Sequence, residues 1–150
     1  MPNKTTEDLT NVLKSTAPDG FSAFLEENEA KLLASDRPFR DYMAREIDKS
    51  GLRRQTVFLN ADISEGYGYK LLSEEKHTVR RDVVLRLCLG AKFSPEQTNR
   101  ALALYGMAPL YPRMPRDALL ISAIAAGFYD VHEIDALLTK NGFEPLYACK

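Results

Sequence analysis

Residues 52–78 contain side chains of the types that bind nucleic acid. They read LRRQTVFLNADISEGYGYKLLSEEKHT, and they combine cations that can contact phosphates with polar side chains that can reach base edges. Their pattern predicts a short helix over Arg53–Ala61, a tight turn at Asp62–Ile63, and a second helix that Ser64 caps and that ends at Leu72. Two short helices joined in this way can place the second helix in the major groove of DNA.

The chain offers no arrangement that is typical of an enzyme. It lacks a glycine-rich phosphate loop, a Ser-His-Asp or Cys-His pattern, and a pair of acids expected to be buried. His132, Glu133 and Asp135 do not have metal-ligand spacing and are expected on a solvated helix face. Cys88 and Cys149 form neither a disulfide framework nor a metal motif. We therefore expect no enzymatic activity, no metal and no cofactor.

Composition favours a cytoplasmic protein without a membrane segment. No apolar run approaches the roughly 18 residues of a membrane span, and the first ten residues are polar and acidic, unlike a signal peptide. The net charge of −1 conceals an asymmetry: residues 1–36 carry −4, residues 37–111 carry +4 and residues 112–150 carry −1. A nucleic-acid surface is therefore expected in the middle of the chain.

A repeated phrase indicates how the second half is organised. Gly-x-x-Pro-Leu-Tyr occurs at residues 106–111 and again at residues 142–147. The preceding RDVVLRLCLGAKF (81–93) and RDALLISAIAAGF (116–128) align at an offset of 35, and one inserted residue, most simply Tyr129, changes the offset to 36. The alternative explanation is a chance similarity between amphipathic helices.

The repeat predicts two similar helical hairpins, over residues 80–111 and 115–147. Ser94 and Asp130 are N-cap residue types, and Gly106 and Gly142 stand where a helix end requires positive φ. Arg-Asp pairs are expected at equivalent helix starts, and the Leu-Tyr pair that ends each copy is expected to fold back on its hairpin. Since apolar residues follow helical spacing nearly everywhere and no strand pattern occurs, the chain is predicted to be all-α.

Residues 37–104 resemble the lambda-repressor-like (Xre-type) helix-turn-helix family. The resemblance rests on an amphipathic helix that ends at Gly51, on Ala61 before the turn, on Ile63-Ser64 at the start of the second helix and on Leu71 within it. The polar loop SEEKHT, the apolar helix VVLRLCLGAKF and the capped SPEQ follow. The resemblance implies a five-helix repressor-like bundle. An acidic helical arm (1–36) precedes this domain (37–111), and a C-terminal helical hairpin (112–150) packs on it.

Three residues depart from the family pattern. Phe58 stands where the family usually has a small alanine, Gly68 where it has a buried valine or isoleucine, and Asp62 where the turn has glycine. The first two positions face each other across the helix pair, so Phe58 is expected to fill the volume left by Gly68. Asp62 is expected to adopt the left-handed conformation, which aspartate tolerates better than most residues.

The resemblance also implies which residues contact DNA. Arg54 falls at the phosphate-contacting position of the first helix. The candidate DNA-binding residues are Arg53, Arg54, Ser64, Glu65, Gly66, Tyr69, Lys70, Ser73, Lys76 and His77, and Arg80 and Arg81 flank them. Glu65 can accept from a cytosine amino group but also repels phosphate. Tyr67 and Tyr69 could stack on bases, although one of them is expected to be half-buried, and a loop histidine such as His77 is often merely solvated.

The predicted function is therefore DNA-binding transcriptional regulation, with double-stranded DNA as the partner and the helix over residues 64–72 in the major groove. The alternative is a protein-interaction module that keeps the repressor-like fold and has a protein partner instead. The small basic surplus and Glu65 favour the alternative. The cations Arg53, Arg54, Lys70 and Lys76 around the second helix favour DNA.

Overall fold

The structure is a computed structural model that describes residues 37–147. Within that range the chain forms seven α-helices and no β-strand, which confirms the all-α prediction there. The helices are α1 (Pro38–Ser50), α2 (Arg54–Ala61), α3 (Glu65–Leu72), α4 (Arg81–Gly90), α5 (Pro95–Leu104), α6 (Pro115–Ala125) and α7 (Val131–Lys140). They belong to one compact unit that begins at Pro38. The arm predicted over residues 1–36 lies outside the described residues, as does Cys149.

The core of this unit is built around α4. Every residue from Val83 to Gly90 is buried, because α2, α5 and α7 all pack on this helix. Gly90 allows α2 to approach closely, since a Cβ at this position would overlap the carbonyl oxygen of Val57 and lie 3.0 Å from the Cβ of Ala61. The position of α2 is thus set by its close packing on α4.

The boundaries of the first three helices agree with the prediction except at one end. After Ser50, Gly51 ends α1 with a φ of 77°. Helix α2 begins at Arg54 rather than at Arg53, because Arg53 has extended backbone (φ −81°, ψ 151°) and occupies the N-cap position. Asp62 has left-handed backbone (φ 54°, ψ 49°), so the predicted conformation of the turn is confirmed.

The predicted exchange of volume between Phe58 and Gly68 is also present. Phe58 is 1% exposed, and a Cβ added at Gly68 would overlap its ring, with Cγ of Phe58 only 2.7 Å away. Tyr69 covers the same ring edge-on, with ring centroids 4.9 Å apart. A large side chain on α2 and a glycine on α3 therefore fill the space between the two helices.

The two hairpins of the repeat, named copy 1 (residues 80–111) and copy 2 (residues 115–147), end their first helices in the same way. Lys92 in copy 1 (φ 58°) and Gly127 in copy 2 (φ 87°) are both left-handed. The next residue, Phe93 or Phe128, donates its amide to the carbonyl five residues earlier at 3.0 Å. These hydrogen bonds are those of a Schellman motif, and they turn both chains at the same point.

The second helices of the two copies also begin and end alike. Ser94 caps α5 in a reciprocal capping box with Gln97, and Asp130 caps α7 by accepting the amides of the two residues that follow Val131. Gly106 (φ 83°) and Gly142 (φ 82°) end these helices with left-handed backbone, as predicted. The repeat read from the sequence is therefore a repeat of local structure.

The Arg-Asp pairs join the two copies reciprocally. Arg81 of copy 1 donates to both carboxylate oxygens of Asp117 at 3.1 and 2.6 Å. Arg116 of copy 2 donates to both carboxylate oxygens of Asp82 at 3.1 and 3.0 Å. Each copy gives one arginine and one aspartate to the other, which is the arrangement of an isologous interface. Bidentate arginine–carboxylate pairs also fix orientation as well as distance.

The same side chains hold the end of each copy in place. Arg81 donates to the carbonyls of residues 108 and 109 at 3.0 and 3.2 Å, and Arg116 donates to those of residues 144 and 145 at 3.2 and 3.3 Å. The backbone amide of Tyr111 donates to Asp117, and that of Tyr147 donates to Asp82, both at 3.0 Å. The doubled phrase is thus part of the contact between the copies.

The expectation that each Leu-Tyr pair folds back on its hairpin holds for the leucines but is wrong for the tyrosine rings. The tyrosine rings do not fold onto their hairpins: Tyr111 is 52% and Tyr147 45% exposed. The leucine before each tyrosine, Leu110 or Leu146, is buried, as expected. In both copies an aspartate holds the backbone amide of the tyrosine while its ring stays at the surface, and the ring of Tyr147 lies under the guanidinium of Arg80. None of the helices between residues 37 and 147 has the length and apolar character needed to cross a bilayer.

Candidate nucleic-acid interface

The candidate site consists of two eight-residue helices, α2 and α3, joined by residues 62–64. Ile63 at the centre of this turn is 5% exposed and donates its amide to the carbonyl of Phe58 at 3.0 Å. Ser64 occupies the N-cap position of α3, although its hydroxyl makes no capping hydrogen bond. Helix α3 packs on α1 and α2 through its buried residues Gly68, Leu71 and Leu72. The turn and these contacts fix the direction of α3.

The opposite face of α3 is open to solvent. Glu65, Gly66, Tyr69 and Lys70 are exposed, and Ser73 at the C-cap is half-buried. At 100° per residue these five positions fall within one arc of about 140°. The face expected from the family resemblance is therefore the face that the packing leaves uncovered. A Cβ at Gly66 would meet nothing within 4 Å, so packing does not explain the glycine there.

The two arginines at the start of α2 differ in their exposure and in their contacts. Arg53 is exposed at the N-cap. Arg54 is one-third exposed and donates to Asp48 of α1 at 2.9 Å. Since Asp48 is itself 67% exposed, this pair contributes only about 0–1 kcal/mol, and a phosphate could replace its carboxylate.

Three of the predicted residues meet around a shallow apolar depression. Arg54, Tyr69 and Ser73 line a cavity of about 210 Å³ together with Arg40, Ala44 and Leu72. Tyr69 is 41% exposed, because one edge packs on Phe58 while the rest faces solvent. Tyr67 is half-buried against the core, as was expected for one of the two tyrosines. This depression is where the start of α2 and the exposed face of α3 come together.

The loop after α3 is ordered by its own hydrogen bonds. Ser73 donates its hydroxyl to the carbonyl of Lys70 at 3.2 Å and accepts the amide of Glu75 at 3.3 Å. The amide of Lys76 also donates to the carbonyl of Lys70, at 3.0 Å, and the side chains of both lysines are exposed. The hydroxyl of Ser73 is therefore engaged within the chain, whereas the two ammonium groups lie at the surface beside α3.

His77 is held more firmly than a solvated loop histidine. Its ring stacks on Tyr105 with centroids 4.5 Å apart and planes 6° from parallel. The Tyr105 hydroxyl accepts the amide of Thr78 at 2.8 Å, and burial raises the pKa of this hydroxyl above its usual value although the Thr78 hydrogen bond opposes the change. Sequence reasoning missed the role of Tyr105. No motif indicates that a tyrosine at the end of α5 contacts the loop that follows α3.

Two further arginines acquire roles that the sequence did not suggest. The guanidinium of Arg80 lies 3.8 Å above the ring of Tyr147 in copy 2, a cation–π contact. Arg86 is 3% exposed in the centre of α4, where its neighbours are apolar. A charged residue inside the run VVLRLCLG was the available signal, since a buried guanidinium must find partners. Its partners, described below, lie at the end of α2 and at the end of copy 2.

Two further titratable side chains have raised pKa values because they are buried. Burial raises the pKa of the Cys88 thiol to about 12, although a hydrogen bond with Thr98 opposes the change. Cys88 is therefore a small apolar core residue, as expected. Burial likewise raises the pKa of Tyr42 to about 12, and Glu46 adds to this. Among residues 37–147 no group of three or more His, Cys, Asp or Glu side chains is placed to hold a metal ion.

Comparisons of the chain with protein-family models, curated proteins and solved structures found no significant match. The resemblance to the lambda-repressor-like family therefore rests on the residues quoted above, and the function is inferred from the geometry of α2 and α3.

Proposed function

We propose that this protein binds double-stranded DNA through α2 and α3 and acts as a transcriptional regulator. The observation that carries the proposal is the open face of α3. A short helix, held at its back by Phe58, Leu71 and Leu72, presents one contiguous polar and aromatic surface that no described helix covers. A helix in such a position fits the major groove, which is about 12 Å wide.

The candidate residues divide into those that contact phosphates, those that contact bases or sugars and those that shape the surface. Arg53 and Arg54 at the start of α2 contact phosphates on one side of the groove, and Lys70 and Lys76 contact phosphates on the other. Glu65, in the first turn of α3, accepts from a cytosine amino group and discourages other bases. The exposed part of Tyr69 packs on a sugar or a thymine methyl group. The remaining candidates allow the DNA to approach α3 closely and shape the surface that it meets; they are Ser64, Gly66, Ser73 and His77.

The experiment is a titration of fluorescent duplex DNA with the full chain at several salt concentrations. Lys70→Ala is expected to weaken binding to all sequences and to reduce the slope of log K against log salt by about one phosphate's worth. Lys140→Ala removes an exposed cation at the end of α7 and is the matched control, expected to change neither quantity. Equal losses in both variants would contradict the assignment of α3.

A second candidate, a protein-interaction module, is favoured by one observation. Val79, the residue before copy 1, is 91% exposed, and Met114, the residue before copy 2, is 56% exposed. Exposed apolar residues that recur at equivalent positions suit a protein partner better than phosphates. If random duplex at about 50 mM salt shows no binding at protein concentrations on the order of tens of micromolar, this candidate replaces the DNA proposal.

A further inference from the structure

Arg86 connects two parts of the chain that are distant in sequence. Its Nη1 donates to the carbonyl of Ala61 at 3.0 Å. Its Nε donates to the carbonyl of Tyr147 at 2.7 Å and its Nη2 to that of Leu146 at 3.1 Å. A carboxylate oxygen of Asp135 lies farther away, 3.8 Å from Nη2. The buried charge is thus held mainly by backbone carbonyls from α2 and from the last residues of copy 2.

The contact with Ala61 falls at a sensitive place. Ala61 is the last residue of α2, so its carbonyl has no partner within the helix. A cation at this end of a helix is favoured by the helix dipole. The turn over residues 62–64 follows at once and leads into α3. Arg86 therefore fixes the point from which the turn and the proposed DNA-reading helix depart.

The other partners of Arg86 belong to residues 144–147, here called the C-terminal strap. Asp135 of α7 accepts the amide of Leu146 at 2.8 Å, and Asp82 accepts the next amide at 3.0 Å. Copy 1 has an equivalent strap over residues 108–111, where Asn99 accepts the amide of Leu110 at 2.9 Å. The alignment places isoleucine at the copy-2 position equivalent to Arg86, so the strap of copy 1 has no equivalent arginine contact.

We infer that Arg86 and the C-terminal strap are positioning elements of the proposed DNA-reading unit. The strap supplies two carbonyls that hold the guanidinium, and the guanidinium holds the end of α2. Loosening the strap removes two of the hydrogen bonds that orient Arg86 and so loosens the turn before α3, even though copy 2 makes no direct contact with DNA in the proposal. This inference rests on the proposed function for its consequence in binding, but the coupling can be measured without DNA.

The test is amide hydrogen exchange in the full chain, with a matched pair of variants. Asp135→Ala removes the acceptor that holds the C-terminal strap together with a charge 3.8 Å from Arg86, and Asn99→Ala removes the equivalent acceptor in copy 1. Asp135→Asn removes the charge but keeps an oxygen acceptor, so it should leave exchange over residues 61–65 unchanged. Each alanine variant should speed exchange in its own strap. Only Asp135→Ala should also speed exchange over residues 61–65, roughly tenfold, because local opening of the turn becomes easier. Asn99→Ala should leave those residues within about twofold of the wild type.

Binding to duplex DNA gives a second measurement on the same proteins. Asp135→Ala should weaken binding several-fold while Asn99→Ala does not. A variant that loosens the strap without changing exchange over residues 61–65 would overturn the inference, and so would equal changes in both variants. If the wild type fails to bind DNA while the exchange difference is present, the proposed function is wrong and the coupling is upheld. Arg86→Met, with its donors removed, should reproduce the exchange change if it folds.

Discussion

Copy 1 and copy 2 share their turns, caps and reciprocal Arg-Asp contacts, yet they differ in what lies on their outer faces. In copy 1, α1 and α2 pack on the hairpin, and α4 is buried from Val83 to Gly90. In copy 2 the equivalent helix, α6, keeps an exposed side, with Ser122 and Ala125 open to solvent. The comparison teaches that the repeat specifies a hairpin and its two-fold contact, while the side chains outside the shared motifs decide which hairpin carries the helix pair α2–α3.

Three aligned positions account for contacts that copy 1 makes and copy 2 lacks. Arg86 in copy 1 is aligned with an isoleucine in copy 2, and Tyr105, which stacks on His77, is aligned with an asparagine. Phe93 is fully buried beside Tyr42 of α1, whereas Phe128 is 43% exposed. Each copy-1 residue contacts the preceding part of the chain. Copy 1 therefore serves as the base on which α1–α3 are assembled.

The largest expected difference between the copies concerns their aligned phenylalanines. Phe93→Ala should lower the free energy of unfolding by about 3–5 kcal/mol, because it leaves a cavity under α1. Phe128→Ala should change it by no more than about 0.5 kcal/mol, because the ring is already half in solvent. Denaturant unfolding of the two variants measures both quantities. Similar losses would show that copy 2 has an equivalent cover.

Part of this account could be predicted from the sequence, and the limit is physical. Helix boundaries, the left-handed turn at Asp62 and the packing of Phe58 on Gly68 follow from local residue types and a pattern of volumes. The contacts of Arg86 did not follow, because its acceptors are backbone carbonyls, which leave no signature in the sequence. The pairing of Arg81 with Asp117 was missed for a related reason: the repeat revealed equivalent positions but not that they face each other.

A smaller difference is expected between substitutions of the two reciprocal aspartates, Asp117 and Asp82. These substitutions should lower the free energy of unfolding by less than Phe93→Ala does, and the loss should depend on pH. Burial alone would raise the pKa of Asp117, but hydrogen bonds from Arg81 and from the Tyr111 amide, with the charges of Arg81 and Arg116, lower it below 3.8. The stabilisation is therefore present above pH 3.8 and lost as pH falls through the lower folded-state pKa. Asp117→Asn should cost about 1–3 kcal/mol at pH 7 and less under strongly acidic conditions.

Asp82→Asn is the matched variant in copy 1. Its side chain is 20% exposed and that of Asp117 is 9% exposed, so the loss at pH 7 should be smaller than for Asp117→Asn. Urea unfolding at pH 7 and at a pH below the folded-state pKa of Asp117, which itself lies below 3.8, provides the comparison. A loss for Asp117→Asn that stays the same at both pH values would mean that the carboxylate charge does not stabilise the contact between the copies.

The smallest expected difference concerns the helix caps. Ser94→Ala and Asp130→Ala should each lower the free energy of unfolding by about 1 kcal/mol, because each removes an acceptor for amides at the start of a helix. Thermal or urea unfolding of both variants checks the equality. A cost in one copy that exceeds the other by more than about 1 kcal/mol would show that the caps are not equivalent in energy despite their equivalent geometry.

The proposal that α3 reads DNA is tested most directly by following backbone amide resonances of the full chain while random duplex DNA is added at low salt. The account predicts shifts in the amides of residues 53–54 and 64–77, and none in α7 (Val131–Lys140), which carries the exposed Lys140 but has no part in the proposed interface. Shifts confined to copy 2 would contradict it, as would unchanged spectra at DNA concentrations on the order of tens of micromolar.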